Sequence, residues 1–425
     1  MMQKCYRYIL PLLCCLLLAA CGSDDGTSPA NSATGTSGTQ PIMFSAGMGA
    51  GKQAATRAAN EINSNSDLSA KGGFGVFGCY TGLHRYSDSN VRPDFMYNEH
   101  VTSADGDTWT YSPLKYWPNG EGETSDGSVT GDNPHYVSFM AYAPYSDNNG
   151  TNPDTNPDTN PAGYCIPSFS LQGEIGNPWL TYRLIEQAHI NKQVDLLYAK
   201  HSNVHPILDQ TKPLATDSKV FFDFNHALAC VGDKVSINCS DNMKAKLAER
   251  VSAGTNIRMD ITKLEIVYTL TSKARLVLWN QGEANWQTIL SETPTCTRTV
   301  TLVNDGHPVV AYNVNETGIT TETKQHEWDG SGVFYIPIEL SGFPQTAQVN
   351  LTYRISTYSG SDWVLGIPKE GSVTINLKDY ADAYLPGKHL YINVTINDET
   401  TSFIVTAAIA DWTPGNGSGE AVEAI

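Results

Sequence analysis

Apolar positions along this chain recur mostly at period two, the signature of β-strands with one buried face. The first such run is Pro41-Ile42-Met43-Phe44-Ser45-Ala46-Gly47-Met48, which puts Ile42, Phe44, Ala46 and Met48 on one face of a strand. Further strands are expected over 73–80, 95–101, 108–112, 136–142 and 194–199. A second series begins at 220–231, where Phe222, Phe224, His226, Leu228 and Cys230 share a face. It continues over 261–270, 274–279, 298–303, 308–313, 333–340, 347–357 and 372–377. The series closes on 389–396 and 401–412, a hairpin turning at Asn397-Asp398-Glu399-Thr400. Helical spacing stands out once, over 240–254, where Met243, Leu247 and Val251 are four residues apart. With 36 Gly and 22 Pro as punctuation, this is an all-β pattern of antiparallel sandwiches carrying one short helix in the second half, not an α/β enzyme.

The ends and junctions set the organisation. Lys4 and Arg7 precede an apolar stretch from Ile9 to Ala20, an export signal too short to cross a bilayer. Leu18-Ala19-Ala20-Cys21 is a lipoprotein cleavage box, so residues 1–20 are read as a signal and Cys21 as the lipidated residue. The other reading of the same residues is a plain secretory signal with a chance cysteine. Residues 21–40 form a polar leader, and Ser23-Asp24-Asp25 suits display on the outer membrane. Between the first strand and the rest lies a Gly/Ala-rich linker, 49–56, that ends at Arg57. A cut between Arg57 and Ala58 would free the strand and bare a sheet edge. A Pro-containing junction at 204–217 divides the remainder into 41–210 and 211–425, each long enough for a β-sandwich domain. The repeated Thr-Asn-Pro-Asp within 146–162 reads as a solvated loop.

A formal charge of −17 argues against nucleic acid and against unaided binding to anionic lipid. Four of nine cysteines fall at or before Cys21. Cys79, Cys165, Cys230, Cys239 and Cys296 are scattered, odd in number and read as buried free thiols, with Cys230 and Cys239 the one pair close in sequence. A phosphate-loop reading of 46–53 fails, because Ala46 stands at the first glycine position and Gln53 at the Ser/Thr that would hold magnesium. No metal or cofactor is expected. His226, in its apolar row, reads as a hydrogen-bonded core histidine. Asp195, Asp223 and Glu265 would make a glycosidase pair only if the fold brought two together. Tyr111, Tyr116, Trp117, Trp279, Trp286 and Trp363 are candidate exposed aromatics for stacking on sugars. No enzyme assignment follows.

Several short stretches together point to a family. They are Phe74-Gly75-Val76-Phe77 with Tyr80, Phe95-Met96-Tyr97-Asn98, Trp109 to Pro118, and Val137 to Pro144. In the second half they are Phe224-Asn225-His226-Ala227-Leu228-Ala229, Leu385-Pro386-Gly387-Lys388 and Ile409-Ala410-Asp411-Trp412. In this order they resemble the fimbrillin family, the subunits of type V pili and related surface lipoproteins of Bacteroidia. Position 230 departs from the usual pattern, with Cys where Lys or Arg is common. The resemblance implies two transthyretin-like sandwich domains and export as an outer-membrane lipoprotein to the cell surface. It also implies an arginine-specific protease that cuts at Arg57, and assembly with other pilin subunits by donor-strand exchange into the place of the strand 42–48. The alternative is a monomeric surface lipoprotein that binds glycans or host proteins.

Overall fold

The computed structural model describes residues 41–48, 61–82, 91–116, 136–148, 156–200, 219–251, 255–278, 284–289, 294–315, 326–359, 362–398 and 403–412. These residues fall into four sheets. A seven-stranded sheet runs in the order β1 (Phe44–Met48), β9 (Val220–His226), β8 (Leu197–Lys200), β5 (Tyr136–Ala143), β2 (Phe74–Gly82), β3 (Met96–Ser103), β4 (Trp109–Thr110). A four-stranded sheet has β13 (Asn285–Thr288), β12 (Lys273–Val277), β7 (Trp179–Arg183) and β6 (Ser168–Phe169). The two meet through Phe169, whose ring lies 5.8 Å from Phe77 and 5.3 Å from Tyr142.

In the second half, β16 (His326–Asp329), β10 (Ala229–Cys239), β21 (Lys388–Ile396) and β22 (Phe403–Asp411) are joined by β17 (Val333–Tyr335), which pairs with β10. Beside them lie β14 (Thr295–Val303), β11 (Thr255–Thr271), β18 (Thr346–Ser359) and β19 (Asp362–Val364). To these, β15 (Val309–Asn315) adds on β11 and β20 (Lys369–Asn376) on β18. The two sheets touch where Cys239 Sγ comes 3.5 Å from Met259 Sδ. At Gly232 (φ +74°) a Cβ would lie 2.1 Å from the Tyr268 hydroxyl, so only glycine admits that approach. The expected all-β class is what the chain adopts. Pairing among the described strands is antiparallel except at β1–β9 and β10–β21, which run parallel.

Local chemistry explains the elements. On β9, Val220, Phe222, Phe224 and His226 are buried while Phe221 is exposed, the alternation of a strand with one wet face. On β11 the buried row Ile257, Met259, Ile261 gives way to Leu264, Ile266, Tyr268 and Leu270 across a register shift against β18. The helix expected at 240–254 is α3 (Asp241–Glu249): Ser240 caps it by accepting from the Met243 N–H, and Met243 and Leu247 fill the core. Two shorter helices, α1 (Asn65–Ala70) and α2 (Pro161–Cys165), carry no apolar stripe long enough to predict. Ser146 and Asn148, read from sequence as the start of a solvated loop, are buried. The Ser146 hydroxyl donates to Ile166 O and the Asn148 amide to Gly163 O. No helix among the described residues is long and apolar enough to cross a membrane.

Candidate functional site

The first strand lies at one margin of the seven-stranded sheet, yet it reaches the opposite margin as well. Along its length it pairs in parallel with β9, Phe44 opposite Val220 and Met48 opposite Phe224. Just ahead of it, the Ile42 N–H donates to Lys115 O at 2.8 Å and Pro41 bridges Tyr116, both a few residues past β4. The Tyr111 hydroxyl donates to Ile42 O at 2.8 Å. The sheet therefore curls on itself, and β1 fills the seam between its edges. Ile42, Phe44 and Ala46 face inward and are buried, while Met48 is half-buried against the core. Phe44 sits among Tyr111 (5.3 Å), Phe222 (5.5 Å) and Phe139 (5.6 Å). On the outer side the Phe221 ring lies against Gly47, so close that a Cβ there would meet it at 2.6 Å. Cys21, Arg57 and Ala58 lie outside the described residues.

Where the described chain resumes, it is firmly anchored. Glu61, Ile62 and Asn63 are all buried. The Ile62 N–H donates to Asp195 Oδ2 at 3.2 Å, and the Asn63 side-chain amide donates to Glu61 Oε2 at 3.0 Å. Asp195 also accepts from the Leu196 N–H and lies 2.8 Å from His226 Nδ1. His226 stacks on Trp412, centroids 4.0 Å apart, with Phe334 stacked on the same indole at 5.5 Å and His389 edge-on at 4.6 Å. His389 Nδ1 lies 3.1 Å from Asp233 Oδ2, and its Nε2 lies 3.9 Å from Glu61 Oε1. This junction joins the segment after the linker to β9, β10, β21 and the end of β22. Burial raises the Glu61 carboxyl above its usual range, opposed by the Asn63 hydrogen bond and by His389. Burial likewise pushes the Cys230 thiol well up, with Asp233 adding to the effect.

The other sequence candidates separate cleanly. His226 is the hydrogen-bonded core histidine its apolar row indicates. The five cysteines after the leader are free, four of them buried and Cys296 half-buried. Asp195 holds backbone and histidine, Asp223 sits half-buried on β9, and Glu265 on β11 meets Lys263 and Asn350, so the three belong to different surroundings. Tyr111 is a correction: it is buried rather than exposed, because the loop that carries it folds over β1. Tyr116 is exposed, the half-buried Trp286 donates its N–H to Ala227 O at 2.8 Å, and Trp363 lies under the Arg258 guanidinium. Trp117 and Trp279 lie outside the described residues. Sequence reading missed the buried junction, since its members, from Glu61 to Trp412, share no spacing. The one available signal was His226 in an apolar row.

No protein-family model matches the chain. A fimbrium subunit, Fim1C of Phocaeicola vulgatus, is 26% identical over 226 residues, 53% of this chain and 49% of that one. The chain thus spans about half the length of the curated relative it matches. A crystal structure of a fimbrial protein from Bacteroides vulgatus superposes over 88% of this chain and all of its own, with a TM-score of 0.55 at 19% identity. The chain is similar in sequence to a fimbrium subunit and shares the fold of a fimbrial protein. The motifs that carried the resemblance are structural in this chain: Trp109 and Phe74 pack in the core at 5.0 Å, Phe224 packs on Phe74 at 5.3 Å, and Trp412 closes the junction.

Proposed function

We propose that this chain is a surface fimbrial subunit or a fimbria-associated adhesin that assembles by strand replacement. In this reading the chain is exported as a lipoprotein held in the outer membrane through Cys21. An arginine-specific protease cuts between Arg57 and Ala58, and the strand 42–48 leaves. A strand from another pilin subunit then takes its place, and the product stands at the cell surface. The chain is read as two transthyretin-like sandwiches, 41–210 and 211–425, with β9 pairing back into the first.

The observation that carries the proposal is the seam filled by β1. Its buried Ile42, Phe44 and Ala46 leave the core's interior ladder incomplete when they go, and its partner edges are β9 on one side and 115–116 on the other. A replacement strand regains those main-chain hydrogen bonds and re-buries the slot, worth ~1.5–3 kcal/mol for each large apolar side chain. The segment Glu61–Asn63 is anchored to Asp195, so the core has a fixed point just after the cut. The test is digestion of the unlipidated chain, residues 22–425, with trypsin under native conditions. The expected product is a core beginning at Ala58 that co-elutes with its first-strand fragment until mild denaturant separates them. Degradation to small peptides, or a core that resists cutting at Arg57, contradicts the proposal.

A further inference from the structure

The junction holds a second chemistry that strand replacement does not use. Cys230 and Asp233 lie three residues apart on β10, and His389 on β21 stands opposite Cys230 in the parallel register. One ligand atom from each lies within 4.8 Å of the other two, and all three residues are buried. Asp233 Oδ1 and His389 Nε2 have no hydrogen-bond partner, although buried polar atoms are ordinarily satisfied. Glu61 Oε1 lies 3.9 Å from that histidine nitrogen. Gly332 lets the Cys230 thiol and Asp233 pack against its backbone, since a Cβ there would come 2.4 Å from Cys230 Sγ.

A buried thiol, imidazole and carboxylate that converge are a donor set for a borderline-soft dication with tetrahedral preference. Held at His389 Nδ1, such an ion lies between the imidazole and the Asp233 carboxylate, whose Oδ1 is otherwise unpartnered, and offsets that buried charge. We infer that Cys230, Asp233 and His389 form a structural zinc site, with Glu61 facing the far ring nitrogen of His389 and orienting the imidazole. The thiol proton is released to solvent as the Zn–S bond forms, and no oxidant or reductant is involved. The site ties β10 to β21, and it stands independently of the strand-replacement proposal.

The test uses the chain 22–425, unfolded in chelator and refolded with Zn2+ or with Co2+ as a spectroscopic probe. After gel filtration, about one Zn2+ per chain is expected, and the Co2+ form shows a thiolate-to-cobalt band in the near ultraviolet. Cys230→Ser removes that band and His389→Ala lowers the stoichiometry by at least tenfold, while Cys239→Ser leaves both unchanged. Should the Cys230 and His389 variants fail to refold, the wild-type cobalt spectrum still decides. No near-ultraviolet thiolate band, no retained zinc, or zinc retained equally in Cys230→Ser and His389→Ala overturns the inference.

Discussion

Phe44 shows most directly what the first strand contributes. Its ring is wholly buried among three aromatic rings, so truncation leaves a cavity bordered by stiff groups that cannot collapse into it. Phe44→Ala should lower stability by ~3–5 kcal/mol in urea unfolding of the uncut chain. Met48→Ala, at the half-buried end, should cost about 1 kcal/mol or less by the same measurement. Equal effects at the two positions would mean that the inward row does not define the slot. That row was legible in the sequence, because alternation at 42, 44 and 46 is a local property. Tyr111 was not legible: its burial depends on a loop folding over a strand some seventy residues earlier, and the Pro-bounded stretch around it reads as surface. The partners of Glu61 and His389 were hidden for the same reason.

At the scale of elements, β1 is held on two sides by segments far away in the chain, which fixes what its loss would bare. Hydrogen exchange on the cut chain, before and after the first-strand fragment is stripped away, should show protection falling along β9 and around 115–116. Amides of β10 and β21, bonded to each other and to β22, should be unchanged. Uniform loss of protection would mean that the fragment is part of one indivisible fold. Most long strands and α3 were foreseen from periodicity, including the closing hairpin of β21 and β22. The two-residue β6 and the four-residue β13 and β16 are too short to complete a pattern, so only their pairing partners define them. Nor does alternation say whether neighbours run parallel. The β1–β9 and β10–β21 pairs follow from topology, which local sequence does not encode.

For the molecule as a whole, strong negative charge opposes indiscriminate association and burial shields the thiols. Burial pushes Cys79, Cys165 and Cys239 each up to about 12. Once unfolded, the same thiols titrate near pH 9, so above that pH the unfolded chain has released protons that the folded chain retains. Stability should therefore fall as pH rises from about 9 toward 12, by roughly 1 kcal/mol per thiol at pH 10. Urea midpoints at pH 8 and pH 10 check this, and an unchanged midpoint would contradict it. The all-β class followed from composition and period. How the sheets share strands, with β9 pairing to β1 and β12 to β7, is set by long-range packing instead.

The central claim is that β1 occupies a slot another strand can take. Ser45 and Phe221 are paired on the outer face of β1 and β9, at neighbouring-strand spacing that suits a disulfide. The decisive measurement is uptake of a fluorescent peptide of sequence 41–48 by the Ser45→Cys/Phe221→Cys chain cut after Arg57, followed by anisotropy. In the mild denaturant that releases the first-strand fragment, the account predicts no uptake while the disulfide is intact and about one peptide per chain after reduction. Equal uptake in both states, or none in either, would contradict it.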